Sequence, residues 1–122
     1  MAILADDLIW ATRLADLVRG AGSVPVAVRS LSALEAALPD ADRVVVDLTA
    51  TAYDGIEAVA SAAAAGRRVL AVGQHDDLDL RRRALAAGAE RVHPYRRLYE
   101  DGPRQLGAWL AASPAPATEP AP

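Results

Sequence analysis

Three carboxylates in this sequence stand where they could act together: the adjacent pair Asp6 and Asp7, and Asp47. Each follows a short apolar run, Ile3-Leu4-Ala5 before the pair and Val44-Val45-Val46 before Asp47. Like charges drawn close repel, which pushes each carboxyl toward its neutral form unless a cation sits among them. A hard divalent ion such as Mg²⁺ suits such a site, since it takes oxygen ligands and keeps several waters. A carboxylate neutralised in this way is also a nucleophile toward a phosphate donor, with aspartyl phosphate as the covalent product. The competing explanation is that loops after strands are simply polar. Clustering of three acids argues for a task instead.

The elements that would position these acids follow from the hydrophobic pattern. Apolar or β-branched runs over residues 2–5, 24–28, 43–48, 68–72 and 90–93 read as strands. The run Val44-Val45-Val46 does not alternate, as expected of a parallel strand buried on both faces. Helical spacing, including Ile9, Leu14, Leu17 and Val18, marks residues 8–19 as a helix. Further helices are expected over 31–38, 54–65, 79–87 and 103–112. Ser30 or Ser32 is a candidate cap of the second helix, Pro39 stops it, and Pro103 suits the first turn of the last. The order is strand–helix repeated five times, an α/β chain with a doubly wound, five-stranded parallel sheet. In such sheets the site lies beyond the C-terminal strand ends. That rule selects Asp6, Asp7, Arg29, Asp47, Gly73 and His93.

Several stretches in order then carry a family resemblance. Ile3-Leu4-Ala5-Asp6-Asp7 resembles the acidic-pair strand end of response-regulator receiver domains, the CheY-like family. Val45-Val46-Asp47 followed by Asp54-Gly55, seven and eight positions on, resembles their acceptor-site stretch. Ala84-Leu85-Ala86-Ala87-Gly88-Ala89 resembles the family's Ala-x-x-x-Gly-Ala before the last strand. His93-Pro94 stands where the family has Lys-Pro. The resemblance covers residues 2 to about 112 and implies a flavodoxin-like (βα)5 sandwich. It implies Asp47 as phosphoryl acceptor, with Mg²⁺ (the one cofactor expected) held by Asp6, Asp7, Asp47 and the backbone carbonyl of Thr49. It also implies a histidine kinase or phosphotransfer protein as donor. Output would pass through a downstream protein, or through a homodimer, on the face of the fourth helix, fifth strand and fifth helix.

The departures from the family are equally specific. His93 replaces the lysine, Gly73 the Ser/Thr after the fourth strand, Glu90 the switch aromatic, and Thr51 the acceptor-loop proline. Gly73 has no side chain with which to hold a phosphoryl oxygen. Losing one preorganised donor to developing charge costs about 2.7–4 kcal/mol. Phosphorylation is therefore expected to be slow. The rival reading is a pseudo-receiver, a phosphorylation-independent interaction or dimerisation module.

The remaining composition bounds the alternatives. The 122 residues suit one domain of about 1–112 with an Ala/Pro-rich tail, residues 113–122, expected to be disordered. There is no cysteine, so thiolate metal sites and disulfides are excluded. No apolar run approaches the ~20 residues of a spanning helix, and the first residues do not read as a signal peptide. A stand-alone cytoplasmic protein is the expectation. All thirteen basic residues are arginine, and net charge is −3, against broad nucleic-acid binding. Arg81-Arg82-Arg83 with Arg96-Arg97 reads as a solvated face. The alternative is a patch for an acidic partner, or for self-association with Glu90, Glu100 and Asp101. His75 reads as a solvated loop residue, and Trp10 and Trp109 as packing residues. A small enzyme is disfavoured, since Ala5-Asp6-Asp7-Leu8 is acidic where a glycine-rich phosphate loop would lie.

Overall fold

The computed structural model describes residues 1–74 and 76–112. The expectations for His75 and for the tail 113–122 lie outside the described residues. Five strands alternate with five helices: β1 Ala2–Leu4, α1 Leu8–Gly20, β2 Val26–Val28, α2 Leu31–Ala37, β3 Arg43–Asp47, α3 Gly55–Ala64, β4 Arg68–Gly73, α4 Leu78–Ala87, β5 Arg91–Pro94 and α5 Tyr95–Ala111. All neighbouring strands pair in parallel, in the order β2-β1-β3-β4-β5. This is the doubly wound α/β architecture the pattern predicts.

The triple valine explains the layering. Val44 and Val46 face one side of the sheet, where α2, α3 and α4 contribute Leu34, Ala58, Val59, Ala62 and Ala84. Val45 faces the other side, against Leu14 and Val18 of α1 and Leu98, Leu106 and Trp109 of α5. A strand buried on both faces needs apolar residues at every position, and β3 has them until Asp47. Register then fixes the site: Asp47 lies opposite Val72, and Val72 opposite His93. Asp47 and His93 therefore share a sheet face, two strands apart.

Several expected boundaries shift. β2 is three residues long, and Val24 and Val26 are 77% and 51% exposed. The second helix ends at Ala37, and Pro39 sits in a 3-10 turn, Leu38–Asp40. Ile9 is 66% exposed rather than inward, and Ala11 takes its place on the buried face of α1. The largest correction is α5, which starts at Tyr95 and not at residue 103. It bends at Asp101, whose φ of −143° and ψ of 31° are non-helical. Pro103 opens the half beyond the bend, where its missing N–H costs nothing. Gly102, also at the bend, lies so close to α1 that a Cβ there would come within 2.6 Å of Leu17 Cδ2.

Candidate functional site

Asp47 closes β3 and is 1% exposed. Its carboxylate is surrounded by donors. The Thr49 N–H donates to Oδ1 at 2.9 Å and the Thr49 hydroxyl donates to the same oxygen at 2.8 Å. The Tyr95 hydroxyl donates to Oδ1 as well and touches the Thr49 hydroxyl. Tyr95 is the first residue of α5, so β5 delivers it to the acid directly. Its ring lies 4.1 Å from that of Trp10 on α1, at 36°. Burial, followed by the hydrogen bond to Asp47, holds the Tyr95 phenol protonated far above its ordinary range. The hydroxyl is thus a fixed donor.

Tyr53 braces the same region from below. Its hydroxyl lies 2.7 Å from the Asp47 carbonyl and 3.0 Å from that of Leu4, bridging the ends of β3 and β1. Burial, with the charges of Asp47 and Asp6, raises this phenol too.

Asp6 and Asp7 do different work. Asp7 caps α1, its carboxylate accepting the Trp10 N–H at 3.0 Å. Asp6 Oδ2 accepts the N–H groups of Thr51 and Ala52 at 3.0 and 3.1 Å, tying β1 to the loop after β3. The Ala52 N–H is the main reason its carboxyl lies below the usual range. Arg29, also at a strand end, donates to the Asp6 carbonyl at 3.0 Å. An oxygen-only set is chemically right for a hard cation. One oxygen of each acid is taken by backbone or hydroxyl donors (Asp6 Oδ2, Asp7 Oδ1 and Asp47 Oδ1), and the other oxygen of each has no hydrogen-bond partner among the described residues. Among the described residues, no three carboxylate or imidazole side chains converge as a metal site.

Of the positions that depart from the family pattern, Gly73 adjoins Asp47, following the Val72 that pairs with it, whereas Glu90 and His93 make no hydrogen bond to it. Gly73 ends β4, and a Cβ there would make only ordinary contact with Leu48 at 3.5 Å. Space does not require the glycine. Glu90 is held by Arg68 Nε at 2.7 Å and by the Trp109 indole N–H at 3.3 Å. His93 is 5% exposed and makes no hydrogen bond to Asp47. It lines a cleft with Arg81, Arg91 and Arg97 instead. The Asp54-Gly55 pair has a local reason. Asp54 caps α3 by accepting from Ile56 and Glu57, and a Cβ at Gly55 would lie 3.0 Å from Leu48 Cα. Glycine there lets α3 approach the loop that follows Asp47.

The chain resembles solved structures at low identity. It aligns with the BeF3-activated receiver domain of DrrB at a TM-score of 0.75 and 16% identity, over 91% of this chain and 96% of that one. A signal receiver domain of a DNA-binding response regulator from Colwellia psychrerythraea 34H gives 0.70 and 22%, over 86% and 94%. The chain has the receiver-domain fold. A third receiver-fold neighbour is a response regulator from Burkholderia pseudomallei with a phosphorylated aspartic acid, calcium ion and citrate. It aligns at 0.66 and 16%, over 90% of this chain and 71% of that one. No protein-family model and no curated protein matches the sequence. Within the receiver fold, sequence reasoning missed Tyr95. The signal was its place beside Pro94, two residues past His93, the fifth strand end that the topology rule selects.

Proposed function

We propose that this is a signalling module of the receiver fold that works by protein interaction, without phosphoryl transfer. The observation that carries this reading is the occupied state of Asp47. Its Oδ1 already accepts from Thr49 and Tyr95, and the Tyr95 ring, backed by Trp10, stands against it. Oδ2 is the oxygen left for an in-line attack, and the carboxylate is 1% exposed with Tyr95 against it, which leaves a donor phosphorus little room to approach. The side chains that would stabilise the transferred group are absent: Gly73 offers none, and His93 points its chemistry elsewhere. The protein would therefore bind a partner in one constitutive state, rather than switch between two. Intact-mass measurement after incubation with acetyl phosphate and Mg²⁺ tests this. The expected result is an unmodified chain; rapid stoichiometric phosphorylation sinks the reading.

The second reading is a phosphorelay receiver that accepts a phosphoryl group on Asp47 from a histidine kinase or phosphotransfer protein. Its support is the position of Asp47 at the end of β3 and the phosphorylated aspartate in a neighbour of the same fold. This reading requires Tyr95 to leave Asp47 first. It also requires Asp6, Asp7 and the Thr49 carbonyl to turn toward a shared Mg²⁺. Titration with Mn²⁺ followed by Trp10 emission distinguishes the two. A saturable response abolished by Asp47→Asn favours phosphorelay, and a flat one favours the constitutive module.

A further inference from the structure

A second site lies on the other side of β5. A cleft of about 500 Å³ opens between α4, β5 and α5. Its size falls within the range of small-molecule sites. Arg81 comes from α4, Arg91 from β5 and Arg97 from α5, so three elements converge three guanidinium groups on one concavity. Arg81 is held in place, donating to the Val92 carbonyl at 2.8 Å. Arg91 and Arg97 have no carboxylate partner among the described residues. The one acid lining the cleft, Glu90, is already neutralised by Arg68 at 2.7 Å. The cleft is therefore a cationic hollow and not a mixed surface.

His93 supplies the independent observation. It is 5% exposed, forms part of the cleft wall, and its Nε2 has no hydrogen-bond partner among the described residues. A buried polar atom without a partner costs free energy and calls for an explanation. Burial, and then the charges of Arg97, Arg91 and Arg81, hold the imidazole below its ordinary pKa, so it is neutral near pH 7. The ring adds a hydrogen-bonding group to the hollow without adding a fourth charge. Nε2 itself is enclosed, so it reports an unmet hydrogen bond behind the cleft wall, which a ligand seated in the cleft would reach by a small shift of the ring.

We propose that this cleft binds a nucleoside phosphate. Guanidinium groups match phosphate oxygens in bidentate geometry. The Gln74 amide, and the Gln105 amide whose Nε2 also donates to Asp101 at 3.1 Å, lie in the lining and carry the donor and acceptor types that read a base edge. Leu85 and Pro94 add apolar surface for the base. The site stands on different residues from Asp47, and the proposal does not depend on whether Asp47 is phosphorylated.

Calorimetric titration of the full chain with ADP, with inorganic phosphate and with an Asp/Glu-rich peptide tests it. ADP should bind at least about tenfold more tightly than phosphate, and Arg91→Gln and Arg97→Gln should each weaken it about tenfold or more. Arg13→Gln, which removes the same charge from α1 outside the cleft, should leave binding unchanged, and the His93 imidazole proton resonances should shift on saturation. Circular dichroism of each variant guards against loss of fold, and the resonance shift in the unmodified chain is independent of any variant. Four results overturn the proposal: no binding of ADP, equal binding of phosphate, preference for the acidic peptide, or equal losses in Arg13→Gln and the cleft variants.

Discussion

Two polar side chains are buried in the described part of the sheet, on the same face, two strands apart: Asp47 and His93. Asp47 has three donors on one oxygen, while the Nε2 of His93 has no partner among the described residues. The carboxylate is satisfied within the fold, and the enclosed Nε2 of the imidazole is not. A buried carboxylate cannot persist without donors, whereas a neutral imidazole can wait for a ligand at a smaller cost. On the proposed reading, the acid at the end of β3 serves the structure and the histidine at the edge serves the cleft.

Substitutions can break this contrast. The largest effect is expected from Asp47→Ala, which takes the shared acceptor from the Tyr95 and Thr49 hydroxyls and leaves the Thr49 N–H unpaired; a loss of about 2–3 kcal/mol is expected in urea denaturation. A near-neutral result would mean that Asp47 is not structural. Tyr95→Phe removes one donor but keeps the ring on Trp10, and should cost about 1 kcal/mol. Its second readout is Trp10 emission, which should change little because the stacking remains. His93→Leu should fall within about 1 kcal/mol of the unmodified chain, or stabilise it, because it replaces an unpartnered buried polar group by an apolar one. A loss well beyond that would mean the imidazole does have a structural partner.

The smallest effects lie in the pH dependence. The folded pKa of His93 lies below its unfolded value, so below about pH 6.5 the unfolded chain binds more protons than the folded one. The stability that neutral His93 retains is complete above that pH and declines as pH falls toward the folded value. Asp6, also lowered when folded, acts in a separate window: its contribution is present above about pH 4 and is lost as pH falls through its folded value. Thermal unfolding followed from pH 7 to pH 3 should show both slopes. His93→Leu should flatten the upper slope and leave the lower one.

How much of this was legible in the sequence depended on contrast between residue types. The five strands were, because β-branched runs such as Val44-Val45-Val46 stand out in an alanine-rich chain. The inward face of α1 was misread at Ile9. Alanine at position 11 packs against the sheet as well as a larger residue does, and hydrophobicity alone does not separate the two faces. The first half of α5 was missed because Pro94 and Pro103 looked like a stop and a start. In fact Pro94 ends β5 just before the helix, and Asp101 bends it. The acids were found from topology, but their hydrogen bonds were not. The direction in which a carboxylate turns is decided by donors such as Tyr95 and Ala52, which arrive from other elements.

The short strand β2 has a further consequence. It is an edge, hydrogen-bonded to β1 alone. The Val26 N–H donates inward to Met1 O at 2.8 Å. Donors alternate in direction along a strand, so the groups that point outward are those of residues 25 and 27. Position 25 is a proline and has no N–H. The exposed valines beside it would otherwise make this edge a template for a foreign strand. With one outward donor removed and three residues in the strand, β2 offers too little ladder for another chain to extend, and the sheet stays finite on that side.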